Sequence, residues 1–218
     1  MMPTRRTSEP AASPGKRDLQ RAQRCQRFVE VAERLFLERG FAGTSVNEVV
    51  RLAGGSLATL YAEFSTKEAL FEAVMSRRTA NLFSHAPAGR RGKPDLEAEL
   101  RTLAKRFLDH MLTADALAVY RLAVHEGPKF ESVRRAVLTN GLDTFLARLA
   151  GYFASLAAEQ RAQIDDPRRA AADFLSLVQG QLRIVAACGA AEQITARQRA
   201  DHVRHAVRAF LRIYPPAA

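Results

Sequence analysis

The side chains of this 218-residue chain that are best suited to chemistry are its guanidinium groups. Lys and Arg number 33 against 23 Asp and Glu, a formal charge of +10. The excess is mostly arginine, whose planar fork holds phosphate oxygens two at a time. A polyanionic partner is therefore expected. The charge is unevenly spread. Residues 1–27 carry seven Lys/Arg against Glu9 and Asp18, residues 83–94 add Arg90, Arg91 and Lys93, and residues 195–218 carry five Arg against Asp201. The two long blocks between them, 28–82 and 95–194, each come to −1, which suggests two folded units with basic edges.

Catalysis has no comparable support. The five histidines, at 85, 110, 125, 202 and 205, form no acid–base set. No phosphate loop, nucleophile elbow or HExxH is present, so no catalytic residue, no cofactor and no enzymatic activity are expected. His202 and His205 could face one metal ion, but a cationic helix makes a poor site, and no metal is expected. Cys25 and Cys188 lie 163 positions apart without a CxxC spacing, which fits a reducing cytoplasm. No apolar run approaches the roughly 18 residues of a membrane span, and the first twenty residues lack the apolar stretch of a secretory signal.

The elements that must position these groups are helical almost throughout. Residues 1–21, rich in Pro, Ser, Thr and Ala at the start, are expected to form a flexible basic arm. Phe28, Val31, Ala32, Leu35 and Phe36 recur at three- and four-residue steps up to Gly40, which predicts a first helix over about 20–39. Ser45-Val-Asn-Glu48 has the form of a capping box for a helix over about 45–52. Ala53-Gly54-Gly55 breaks it, Ser56 can cap a short helix through Ala62, and a fourth starts near Lys67. Two Pro and two Gly make 86–94 a linker or loop. Further helices are expected over about 96–111 and up to Glu126, over a long stretch from Val133 to Leu156 bent near Gly141 or Gly151, from Pro167 to Gly189, and over 195–213. With no period-2 strand, the fold class is all-α, about nine helices. The expected domains are a helix-turn-helix unit over 22–82 and a second helical domain over 83–218.

Two short helices joined by a Gly-containing turn inside a bundle can project one helix into a major groove about 12 Å wide. The residues say more than the geometry. Ala32-Glu-Arg-Leu-Phe36, Gly40-Phe41, Thr44-Ser45-Val46, Ala53-Gly54-Gly55-Ser56, Thr59-Leu60-Tyr61, Phe64 and Lys67-Glu68-Ala69-Leu70 resemble the DNA-binding domain of the TetR family. The resemblance spans 61 of the 218 residues, 22 to 82. It implies a dimeric, ligand-responsive transcription regulator, usually a repressor, bound to a double-stranded DNA operator. It places Ser45, Lys67 and Tyr61 on phosphates and turns Ser56, Leu57, Thr59 and Ala62 to the groove. Leu60 and Phe64 fill the core. Thr44 is either a DNA contact or simply the residue before the cap. The sequence departs from the family at Gly55, where an apolar residue is usual, at Leu57, often a cation, and at Ala58, usually Gly. Gly55 is expected to loosen the turn. With no cation on helix 56–62, hydroxyls and apolar contacts must read the bases, and affinity should come largely from the arm, with Arg17, Arg21, Arg24 and Arg27, and from Lys67.

In the larger half, Val119-Tyr-Arg-Leu-Ala-Val-His-Glu126 and Phe174-Leu-Ser-Leu-Val-Gln-Gly180 are similar to the effector domain of repressors that often guard efflux genes. The resemblance implies a homodimer through helices 167–189 and 195–213. Ala171, Gly180, Ala186, Ala187 and Ala206 are small enough for close approach there, and Leu182, Val203 and Phe210 supply apolar area. It also implies a small hydrophobic effector, with Phe107, Met111, Tyr120, His125, Phe145, Phe153, Phe174 and Arg183 as candidate contacts. Arg183 stands in an apolar helix and needs a partner, either Asp173, Glu126 or an acidic effector. The competing reading is a non-specific architectural DNA binder. Against it, a near-neutral head with apolar groove residues makes a poor general phosphate clamp; equal affinity for bulk DNA and for the gene's own upstream region would favour it.

Overall fold

A computed structural model describes residues 15–83 and 95–217. The loop expected at 86–94 and most of the arm lie outside the described residues. The chain is all-α. Its elements are α1 (Lys16–Arg39), α2 (Val46–Ala53), α3 (Leu57–Glu63), α4 (Lys67–Phe83), α5 (Leu96–Met111), α6 (Ala114–Glu126), α7 (Glu131–Arg135), a π-helical stretch (Ala136–Asp143), α8 (Thr144–Ala158), α9 (Pro167–Gln179), α10 (Leu182–Val185) and α11 (Ala196–Ile213). Side-chain caps set several starts: Asp95 accepts from the Glu97 amide, Thr113 from Ala116, and Asp166 from Arg168 and Arg169 ahead of Pro167. Thr195 and Gln198 close a full capping box on α11.

Three local readings change. Helix α1 begins at Lys16, so 16–21 is helix and not arm; the residues after Gly15 are good helix formers that need no buried stripe to continue. The long helix after Val133 is interrupted by the π-helical stretch, which contains Gly141, while Gly151 lies within regular α8. The helix from Pro167 to Gly189 is broken at Gly180, whose φ of 47° and ψ of −149° lie outside helical space. A Cβ on Gly180 would lie 2.5 Å from the His202 ring, so the break lets α9 and α11 approach closely. His202 itself hydrogen-bonds to the Val178 carbonyl at 2.9 Å.

Two large cores form. One joins α5, α8, α9 and α11, where Phe153, Phe174 and Phe210 pack with centroids 5.0–5.5 Å apart. The other unites α1 to α4 around Phe28, Phe36 and Phe71, and takes in Leu122, Val133 and Ala136 from the larger half. The two halves therefore share apolar packing. The dimer residues read from sequence are mostly consumed here. Ala171, Ala186, Val203, Ala206 and Phe210 are buried within the chain itself, and on these segments Ile184, Val185 and Ile213 are the large apolar side chains left exposed. The i, i+3 and i, i+4 pattern marks a buried face but not whether the same chain or a second copy buries it.

Candidate DNA interface and ligand cavity

The turn between α2 and α3 is built from Gly54, at φ +72°, and Gly55. A Cβ on Gly55 would lie 2.9 Å from Phe28 Cζ. The space usually filled by an apolar side chain is thus occupied by the Phe28 ring from α1, so Gly55 permits close packing and does not loosen the turn. Ser56 caps α3 by accepting from the Thr59 amide at 3.1 Å, and the two hydroxyls lie 2.9 Å apart. Leu60 is fully buried and Phe64 packs on the same core, which turns Leu57, Tyr61 and Ala62 outward. Thr59 is half-buried beside its cap.

Ser45 does not form the expected capping box. Its side chain accepts no cap hydrogen bond, the Glu48 amide donating to the Ser45 carbonyl at 3.1 Å instead, and the Glu48 carboxylate pairs with Arg39 at 2.6 Å and Arg51 at 3.6 Å. The exposed Ser45 hydroxyl at the start of α2 is left for another partner. Thr44 is buried and donates to the Gly40 carbonyl at 2.8 Å, so in this structure its hydroxyl holds the turn. Arg21 forks onto Glu63 at 2.5 and 3.0 Å, joining α1 to the end of α3 and holding the Glu63 carboxyl below its usual range. Arg21 is exposed at this ion pair, and Arg24 and Arg27 are likewise exposed on α1.

Lys67 opens α4 with its ammonium 4.5 Å from the centre of the Phe41 ring. Burial pushes its pKa down, opposed by Glu68 and Glu126. Phe41 is a junction. Its ring packs against Phe36, Phe71 and Phe130, and its amide donates to Glu126 Oε2 at 2.7 Å, with the Ala42 amide on the same oxygen at 3.2 Å. Glu126, at the end of α6, and Thr44 are the buried polar or charged side chains among the described residues. Gly40, at φ +78°, is required for this clamp, since a Cβ there would lie 2.2 Å from Glu126 Oε1.

A cavity of about 400 Å³ lies between α4, α5, α6, the π-helical stretch, α8 and the α9–α10 break. Phe107, Met111, Tyr120, Phe145 and Arg183 line it, together with Met75 and Arg78 of α4. Phe107 and Phe145 stack with centroids 4.8 Å apart. The Arg183 guanidinium lies 4.2 Å from the centre of the Tyr120 ring, and its Nη1 donates to Gln179 Oε1. Burial lowers its pKa, opposed by Tyr120.

Residues 28–74 match the sequence profile of the bacterial regulatory proteins of the tetR family, and residues 98–216 match the C-terminal domain of the AefR-like transcriptional repressors. The chain belongs to the TetR family of transcriptional regulators. An HTH-type transcriptional regulator of Mycobacterium tuberculosis is 45% identical over 56 residues, 26% of this chain and 28% of that protein. The chain thus aligns with little more than a quarter of that curated relative. Among solved structures, the flavonoid-responsive regulator FrrA is 29% identical with a TM-score of 0.76, covering 90% of this chain and 100% of that one. A TetR-family regulator from Mesorhizobium loti has the same TM-score at 24% identity, covering 89% and 98%. Among the described residues of this TetR-family chain, no single helix is long and apolar enough to cross a membrane.

Of the candidate effector contacts, five line the cavity and three do not. Phe153 and Phe174 are interior to the α8–α9–α11 core, and His125 is an exposed residue on α6 outside the cavity. Neither expected partner pairs with Arg183: Glu126 holds the Phe41 and Ala42 amides, and Asp173 accepts from Tyr214 at 2.8 Å and Arg169 at 3.2 Å. Met75, Arg78 and His110 also line the cavity, with no signal in the sequence that marks them. Met75 and Arg78 belong to α4. Both continue the helix that follows the reading head, and their heptad positions look like ordinary core and surface. No local signal announces that a π-helical stretch will draw Gly141 up to Met75, where a Cβ would lie 3.8 Å from the Met75 methyl.

Proposed function

We propose that this TetR-family regulator is a ligand-responsive repressor that occupies a roughly palindromic operator in the cytoplasm as a homodimer, and leaves it when a small hydrophobic effector enters the cavity. The observation that carries this reading is the cavity wall: Met75 and Arg78 belong to α4, the helix that begins at Lys67 directly after α3. An occupant that moves α4 changes the separation of two reading heads, and it weakens operator binding only insofar as it prefers the displaced state. Helix α6 offers a second link, with Tyr120 in the wall and Glu126 on the Phe41 turn.

In the bound state Ser56, Leu57, Thr59 and Ala62 enter the groove, while Ser45, Tyr61 and Lys67 hold phosphates, Lys67 after leaving the Phe41 ring. Exposed Ile184 and Val185 on α10 and Ile213 at the end of α11 leave apolar area for contact with a second copy. Two-fold symmetry then requires half-sites one or more helical turns apart. FrrA is named as flavonoid-responsive, which supports an aromatic effector here. Footprinting the region upstream of the gene with and without a panel of aromatic compounds tests this. Two dyad-related protected half-sites, lost with one compound class, are expected; uniform protection, or protection that no compound alters, contradicts it.

A further inference from the structure

The charged groups of the cavity point to one class of occupant. The side chains lining it include Arg78, His110 and Arg183 and no Asp or Glu. The three basic groups are not equivalent. Arg78 is neutralised from behind the wall by Glu33, with Asp115 at 3.9 Å. His110 has its pKa pushed down by burial and by Arg78, which keeps the ring neutral near pH 7. Arg183 retains its charge with neutral company. Gln179 accepts from Nη1, Tyr120 lies under the guanidinium, Nε is buried without an acceptor, and no carboxylate lies within 4.0 Å among the described residues. The break at Gly180 is what directs this side chain: Gln179 and Arg183 lie four positions apart across it, so both reach the cavity while Ile184 and Val185 face outward.

A partly buried guanidinium that keeps one N–H unpaired has already lost much of its hydration. A ligand oxyanion can restore the missing hydrogen bonds at little further desolvation cost. The remaining wall, with Phe107, Met111, Phe145, Leu138 and Leu142, is apolar. We propose that the effector is a small amphipathic organic acid whose carboxylate is held by Arg183 over Tyr120, with an aromatic or aliphatic body against Phe107 and Phe145. This rests on the cavity being the effector site.

The test uses the full-length protein with 2-naphthoate and methyl 2-naphthoate, which share a ring body and differ in charge, titrated by calorimetry at pH 7.5. The acid should bind at least tenfold tighter than the ester. Arg183→Met should remove that preference by weakening the acid about tenfold or more, and Arg183→Lys should retain part of it. Leu142→Trp, which fills the cavity, should abolish binding of both. Equal affinity of acid and ester for the unaltered protein, or a preference that survives Arg183→Met, overturns the anion assignment and leaves the cavity reading standing. Binding that survives Leu142→Trp, or no binding of either compound, overturns the cavity reading and the assignment with it. Should Arg183→Met fail to fold, the acid-to-ester ratio of the unaltered protein and the Lys variant still decide.

Discussion

The outward residues of the reading head, Ser56, Leu57, Tyr61 and Ala62, lie on one seven-residue stretch, whereas the cavity wall draws on α4, α5, α6, a π-helical segment, α8 and both sides of a helix break. A short cap, two glycines and one buried leucine are enough to turn α3 the right way, so its surface is a local product. The cavity exists only where seven segments fail to close on one another. The contrast shows that a surface made by one helix can be read at close range, while a hollow made by many depends on the irregularities between them. It also separates two kinds of aromatic residue: Phe153, Phe174 and Phe210 are fully buried in the α8–α9–α11 core, and Phe107, Tyr120 and Phe145 line the cavity.

The sharpest break between the two kinds is a truncation series. Phe153→Ala, inside the Phe174–Phe210 cluster, should cost about 3–5 kcal/mol in urea unfolding, far more than Tyr120→Ala in the cavity wall. Comparable losses would mean that the cavity is as well packed as the core. Next in size, Gly55→Val should destabilise by about 1–3 kcal/mol, because its side chain meets the Phe28 ring. Adding Phe28→Leu should recover part of that loss in a thermal melt, and no recovery would show that the turn, not the ring, sets the requirement.

Glu126→Gln tests the link between reading head and cavity. Replacing a carboxylate that accepts from the Phe41 and Ala42 amides should cost about 1–3 kcal/mol. It should also reduce the effect of an effector on operator release. Stability lost with the effector response intact would assign coupling to α4 alone. Leu57→Lys adds a cation to an α3 that has none and should steepen the salt dependence of DNA binding, with a change of about one in the log–log slope. An unchanged slope would show that position 57 does not approach the duplex.

The smallest effect is a pH effect. His110, half-buried in the cavity wall and beside Arg78, has its pKa lowered by desolvation and by the Arg78 charge, which favours the neutral ring in the fold. Unfolded, it protonates near its ordinary value of about 6.5. Its contribution is therefore complete above that pH and is lost as pH falls through the folded value. The stability difference between the protein and its His110→Gln variant should change on acidification below pH 6.5 and be flat above it; a flat difference throughout would remove His110 from the acid response.

Much of the reading head was legible because its determinants are near neighbours. Phe28, Leu35, Phe36, Leu60 and Leu70 declare a buried face by period, Gly40 and Gly54 declare stops that need positive φ, and Ser56 declares a start. The TetR resemblance rested on the same short spacings. Where a competitor lay at long range, local reading failed: Glu48 pairs with Arg39, and Phe28 fills the place a side chain at 55 would take. The +10 charge pointed to a polyanion without showing that Arg21 would be engaged by Glu63.

The sequence by itself determined an all-α chain and the order of its helices, because periodicity, caps and glycines act within a few residues of one another, and it carried the resemblance to the TetR family that identifies the helix-turn-helix. Tertiary structure alone decided which aromatics are core and which are wall, where α9 breaks, and that Glu126 crosses to Phe41. Those outcomes depend on which surface each apolar stripe meets, and on the buried carboxylate finding two amides some 85 positions away along the chain.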